Sequence, residues 1–149
     1  MRRPLTRIAA TVSVALMATV IGCLASDGSF VDANGKLLVA TPEEVRKAQD
    51  ALLSIESDKD MLPSMEGGVL FDCTVSQVEH QSDGSEMANL LIVNVISGPF
   101  HVGDQVRVQT PRAERGGVHF EQGKKFRVFA VELEGAYRTW ASAGTVQIN

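Results

Sequence analysis

Apolar and polar side chains alternate along much of the chain from residue 67 onward, and this period of two limits the fold to one built on strands. Strands are predicted over about residues 69–78, 87–96, 105–110 and 124–133, with a last strand or strands at 137–140 and 145–148. Turns that carry glycine separate these segments. About five short strands at such spacing predict a mainly β fold, a small barrel or sandwich, over residues 67–149.

One amphipathic helix is predicted before the strands, over residues 41–57. Thr41 can cap its first turn, and Pro42 fits the first helical position because that position needs no N–H donor. Glu43 and Glu44 favour the positive end of the helix dipole. One apolar stripe at helical spacing predicts that the helix docks on the sheet, and it consists of Val45, Ala48, Leu52 and Ile55.

The first 22 residues have the layout of a signal peptide. Residues 1–7 are basic, and residues 8–21 form a short, uncharged and largely apolar run. The run is shorter than the roughly 20 apolar residues that a membrane-spanning helix needs. Export followed by cleavage is therefore predicted, and an uncleaved N-terminal anchor helix is the alternative.

The end of this run, Val20-Ile21-Gly22-Cys23, resembles the lipobox of bacterial lipoproteins. In that family the cysteine thiol receives a diacylglyceryl group, the peptidase cuts just before the cysteine, and the new amine is commonly acylated. Several acyl chains on one residue give stable anchoring, whereas a single chain gives only marginal membrane binding. The resemblance implies lipidation at Cys23, with residues 23–40 as the tether that joins the lipid to the folded body.

The residues after Cys23 bear on the location of the protein and on the site of cleavage. Leu24 is not aspartate, which by the same resemblance favours the outer membrane, with the protein facing the periplasm. Ordinary cleavage after Ala25 is the alternative, since Cys23-Leu24-Ala25 is a small-x-small site. The product would then be a soluble periplasmic protein.

Charge and cysteine content narrow the classes of partner. The 149-residue chain has a formal charge of −4, and removing the three arginines of residues 1–22 leaves −7 on the exported part. A protein that binds a phosphate backbone needs clustered Lys and Arg, so no nucleic-acid partner is expected. If Cys23 carries lipid, Cys73 is left alone, and its place in the alternation predicts a buried, inert thiol.

The strand region resembles the netrin-like domains, the OB-fold group that includes the tissue inhibitors of metalloproteinases. Order and gaps match over roughly residues 67–148. The phrases that carry the resemblance are Val93-x-Val95-x-x-Gly98, Gly103-Asp104-x-Val106-x-Val108-x-Thr110, Phe120-x-x-Gly123-x-x-Phe126-x-Val128-Phe129-Ala130, and Thr139 followed by Ala141-Ser142-Ala143-Gly144-Thr145. The resemblance implies a five-stranded OB-like barrel after the helix.

The chain departs from this family at its cysteines. Gly116-Gly117 stands where the family has Cys-Gly, and Ala141 stands where it has a cysteine near the last strand. The disulfide framework of the family is therefore absent, and packing of the apolar core must stabilise the domain without it. Inhibition in the animal proteins places the free amine of an N-terminal cysteine on a catalytic zinc, and an acylated Cys23 could not do this.

No spacing singles out a catalytic or metal-binding set, so no catalytic residue, metal ligand or cofactor is predicted. His80, His101 and His119 lie in or next to predicted turns and lack metal-ligand spacing, although an enzyme that uses them is the competing class. Tyr137 and Trp140 are the candidate binding residues, because their rings could stack on a glycan or peptide. Core filling is the alternative for Trp140.

These observations together predict a lipid-anchored, non-catalytic protein of the cell envelope. Its barrel is expected to bind another envelope protein or an envelope polymer. A soluble periplasmic protease inhibitor, released after Ala25, is the alternative.

Overall fold

The computed structural model describes residues 41–111, 119–139 and 144–149. In these ranges the chain forms one α-helix and six strands, namely α1 Pro42–Leu53, β1 Gly68–His80, β2 Glu86–Ser97, β3 Gln105–Thr110, β4 Lys125–Leu133, β5 Ala136–Thr139 and β6 Thr145–Ile148. Two short 3-10 turns, Asp58–Asp60 and Pro63–Met65, connect α1 to β1. Within the same ranges, no helix combines the length and the apolar character needed to cross a bilayer. The predicted signal peptide, lipobox and tether lie outside the described residues.

The strands close into a five-stranded barrel in the order β1-β2-β3-β5-β4, with β4 pairing back onto β1. Neighbouring strands are antiparallel except β3 and β5, which run parallel. The sixth strand, β6, pairs with β4. The small OB-like barrel preceded by one helix is thereby confirmed, and the sandwich alternative is wrong. The predicted strands lie within two residues of the observed ones.

Two apolar clusters occupy the two faces of the sheet. The inner cluster fills the barrel, and its large members include Phe71, Phe120, Leu90 and Ile92, each at most 1% exposed. The outer cluster packs side chains from α1 and the segment after it, Leu52, Ile55, Leu62 and Met65, on Leu70, Ile96 and Phe129 of the strands. Strand β1 is therefore buried on both faces, as its burial pattern requires.

The first turn of α1 forms as its sequence predicts. The Thr41 hydroxyl accepts a hydrogen bond from the Glu44 N–H at 3.3 Å, and the Glu44 carboxylate accepts one from the Thr41 N–H at 2.7 Å. This reciprocal capping satisfies two N–H groups that a helix start otherwise leaves unpaired. Hydrogen bonding to Thr41, chiefly to its backbone, lowers the pKa of Glu44.

The end of α1 is set by a side chain of the barrel, so the predicted helix end near residue 57 is wrong. Arg127 of β4 donates from Nη1 to the carbonyl oxygens of Leu53 at 3.2 Å and Ile55 at 3.0 Å. Carbonyl groups at a helix end need such partners, and a guanidinium supplies them. The chain can therefore leave the helix at Leu53 and still bury Ile55.

The same guanidinium forms a nearly buried ion pair with β1. Arg127 Nε lies 2.7 Å from Asp72 Oδ1 and Arg127 Nη2 lies 3.1 Å from Asp72 Oδ2. Asn94 of β2 adds a hydrogen bond from its Nδ2 to Asp72 Oδ2 at 3.1 Å. One arginine thus links α1, β1 and β4, with Asn94 tying β2 into the same network.

Gly68 lies directly against the ring of Phe129, a member of the outer cluster. A Cβ at this position would fall 2.3 Å from the Phe129 ring. Since Phe129 is fully buried, glycine is required for β1 to begin here.

Candidate functional site

Buried polar side chains collect at the end of the barrel where β1 ends and β2 begins. Strand pairing brings the groups together, because His80 lies opposite Glu86 on β2, and Glu86 lies opposite Thr110 on β3. Ser85, Glu86 and Thr110 are at most 8% exposed. Polar groups this deep need partners, and their partners define the site.

Glu86 is the centre of one network, which faces the barrel end. Its Oε1 atom lies 2.8 Å from His119 Nδ1 and 3.2 Å from His80 Nδ1. Its Oε2 atom accepts a hydrogen bond from the Phe120 N–H at 3.3 Å. The two imidazole rings are nearly parallel, 17° apart, with centroids separated by 6.3 Å. Glu86 thereby fixes the segment that delivers Phe120 to the core.

This network orients two imidazoles on one carboxylate. A neutral histidine that donates from Nδ1 keeps Nε2 as an acceptor, so each ring can still bind a donor. Both histidine side chains are about two-thirds exposed, whereas the Glu86 side chain is 10% exposed. Across the described residues, no group of three or more His, Cys, Asp or Glu side chains is arranged to hold a metal ion.

A second network lies on the other face of the sheet, since successive residues of a strand point to opposite sides. Ser85 Oγ lies 2.6 Å from Asp83 Oδ1, to which it donates. Gln109 Nε2 donates to Ser85 Oγ at 3.4 Å, and Gln109 Oε1 accepts a hydrogen bond from Arg138 Nη1. A chain of two neutral side chains therefore joins a carboxylate on the β1–β2 turn to a guanidinium on β5.

The histidines of the sequence divide between the two ends of the barrel. His80 and His119 meet at Glu86, but His101 lies in the turn between β2 and β3, where its Nδ1 is 3.7 Å from Asp104 Oδ2. Glu86 was missed because its contacts need the β1–β2 hairpin register for His80 and the fold for His119, which is 33 residues away. The available signal was its position two residues before Ala88, on the face of β2 that fills the barrel.

Of the two candidate binding residues, Tyr137 is half-buried and packs inward. Its ring lies 5.3 Å from the Phe100 ring, edge to face, and Phe100 in turn packs on Phe71 at 5.6 Å. Burial, with a smaller contribution from the Glu132 charge, raises the pKa of Tyr137. Trp140 and the lipobox residues Val20, Ile21, Gly22 and Cys23 lie outside the described residues.

The Cys73 thiol is fully buried on the inner face of β1, as the alternation predicts. Burial, reinforced by the charge of Asp72, raises the pKa of Cys73 to about 12. The thiolate is the reactive form, so this cysteine is inert in the folded barrel.

The sequence matches none of the protein-family models and none of the curated proteins with which it was compared.

Proposed function

We propose that this chain is a lipid-anchored, non-catalytic protein of the cell envelope, and that its barrel binds another envelope protein or an envelope polymer. The lipobox Val20-Ile21-Gly22-Cys23 supports the anchor. The outer membrane, facing the periplasm, is the proposed location. The geometry of the barrel supports a surface binding mode, because side chains occupy its interior.

One observation carries the binding proposal, the exposed apolar surface around β2. Leu91 and Val93 are 36% and 41% exposed on the outer face of this strand. The neighbouring turn hydrogen-bonds to Ile92 between them, through Gly103 N–H at 2.9 Å, and holds Val102 at 68% exposure. Contiguous exposed apolar residues favour a binding surface over plain solvent contact.

Metabolic labelling with a fatty-acid analogue tests the anchor. The full chain is expected to take up the label, and Cys23→Ala is expected to lose it completely, since the thioether forms only on that sulfur. Cys73→Ala is the matched control and should keep the label, because Cys73 is buried in the barrel. A Cys23→Ala protein that remains labelled would end the proposal of a lipid at Cys23.

The intact mass of the exported protein separates this proposal from a soluble protease inhibitor. A lipoprotein begins at Cys23 and carries the mass of its acyl chains. The alternative begins at Ser26 without added mass. A first residue of Ser26 would favour the inhibitor.

Capture from envelope extract tests the binding surface. The double variant Leu91→Ser and Val93→Ser is expected to lose at least about tenfold in capture of its partner, because two apolar contacts of roughly 1 kcal/mol each are removed. Leu53→Ser is the control, since Leu53 is 43% exposed at the end of α1. Equal losses in both variants would contradict a site on β2.

A further inference from the structure

Arg138 of β5 is a charged side chain that the fold buries with very few partners. The residue is 9% exposed. Its Nη1 atom donates to Gln109 Oε1, and its Nε atom is buried without a hydrogen-bond partner. The ion pairs within the described residues involve other side chains, so none of them supplies Arg138 with a carboxylate.

A buried guanidinium in this state is unusual. Charged groups that leave water are paired or fully hydrogen-bonded, because desolvation otherwise strongly opposes their burial. Gln109 contributes one neutral acceptor, and hydrogen bonds through Ser85 and Gln109 link Arg138 to Asp83. Arg107 on the adjacent strand β3 illustrates the ordinary case, with its Nη2 atom 2.7 Å from Glu79 Oε2 on the surface.

The unpartnered Nε donor leaves one edge of the guanidinium for a ligand. The hydrogen bond to Gln109 uses Nη1, which is not on that edge, whereas Nε is buried without a partner. The Nε–H and one Nη2–H of an arginine point in parallel along the same edge, and two oxygens of a carboxylate or phosphate accept them together. A neutral amide or hydroxyl group does not offer two negatively charged oxygens to these two donors.

We propose that Arg138 binds an oxyanion, a carboxylate or phosphate group of the ligand, through its Nε and Nη2 donors. The negative charge of the bound oxyanion would then balance the Arg138 guanidinium, which forms no ion pair with a carboxylate among the described residues. Because Arg138 is only 9% exposed, the proposal is limited to a small terminal group. The inference names the ligand chemistry of the proposed binding function, and it rests on that function for its role in the envelope.

The test follows the Arg138 Nε–H resonance by NMR, in the full exported chain purified in a non-ionic detergent. Sodium phosphate and sodium acetate are titrated separately against sodium chloride at equal ionic strength and neutral pH. A saturable shift of the Arg138 Nε–H signal is expected, while the signal of Arg107 stays in place. Phosphate alone producing the shift identifies a phosphate site, and both anions producing it identify a general oxyanion site.

Thermal unfolding gives a second readout. At an anion concentration five times the dissociation constant, Tm should rise by about 4 to 8 °C above the chloride sample. Arg138→Gln should lose this rise and Arg107→Gln should keep it. Arg138→Lys retains a charge without the paired donors, so it should show less than half of the rise while confirming that the fold tolerates substitution.

Two results would overturn the proposal. One is an Arg138 signal that neither anion moves. The other is a rise in Tm that Arg138→Gln retains in full, since phosphate also stabilises proteins by exclusion from their surface. Both results are independent of capture through Leu91 and Val93, so the oxyanion site and the proposed binding surface can fail separately.

Discussion

Replacing Arg127 by alanine is expected to lower the free energy of unfolding by about 3–5 kcal/mol, the usual cost of removing one partner from a buried ion pair. The side chains of Arg127 and Asp72 are 14% and 10% exposed, so the carboxylate left behind would remain largely desolvated. The carbonyl groups at the end of α1 would lose their donor as well. Urea unfolding followed by circular dichroism measures the change.

Arg107→Ala is the matched control for this prediction. Arg107 also pairs with a carboxylate, but the side chains of Arg107 and Glu79 are 55% and 41% exposed. An exposed pair contributes about 0–1 kcal/mol. If the two variants lose equal stability, the link between α1 and the barrel does not depend on burial of the Arg127 pair.

The pH dependence of stability reports on the same pair. Burial alone would raise the pKa of Asp72, but the hydrogen bonds from Arg127 and Asn94 and the Arg127 charge outweigh it, so the pKa is lowered. Because the pKa of Asp72 is lower in the folded chain, the folded chain binds fewer protons than the unfolded chain at pH values around these two pKa values. Ionised Asp72 therefore stabilises the fold at pH values above its unfolded pKa. This stabilisation is lost as the pH falls through the folded pKa. Asp72→Asn should flatten this acid limb of the stability curve.

Replacing Phe120 by alanine is expected to destabilise the barrel by about 3–5 kcal/mol. Its ring is 1% exposed and packs edge to face on Phe126, with centroids 5.0 Å apart. Truncation would leave a cavity in the inner cluster, next to the Phe120 N–H that donates to Glu86. Urea unfolding at neutral pH again measures the loss.

Val102→Ala is the control for the Phe120 substitution. Val102 is 68% exposed on the turn between β2 and β3, and exposed substitutions usually change stability by less than about 0.5 kcal/mol. A Phe120→Ala variant that stays within that range would mean that Phe120 does not fill the barrel.

The strands were predictable because each is encoded locally. In β4, Phe126, Val128 and Ala130 fall on one face and fill the barrel, as their spacing of two requires. The capped start of α1 was predictable for the same reason, since Thr41 and Glu44 are three residues apart. Its end was not, because the donor for its last carbonyl groups comes from β4, more than 70 residues later.

The candidate sites depend on pairings that no local pattern contains. Glu86 meets His119 from 33 residues away, and Gln109 meets Arg138 from 29 residues away. The Gln109–Arg138 contact follows from the parallel pairing of β3 with β5, whereas His119 reaches Glu86 from the segment before β4. The sequence offers Tyr137 as a candidate stacking ring, and in the barrel this ring packs edge to face on Phe100.

The alternating strands, the helix start, the buried place of Cys73 and the negative charge of the chain are all readable from the amino-acid sequence, since each depends on neighbouring residues or on composition. Which distant polar groups share a buried space depends on the tertiary structure. Asp72 meets Arg127 where β4 closes the barrel on β1. Glu86 meets His80 across the β1–β2 hairpin, and His119 reaches it from the segment before β4. Burial then decides which of those groups need a partner, because the cost of an unpaired charge depends on how far it lies from water.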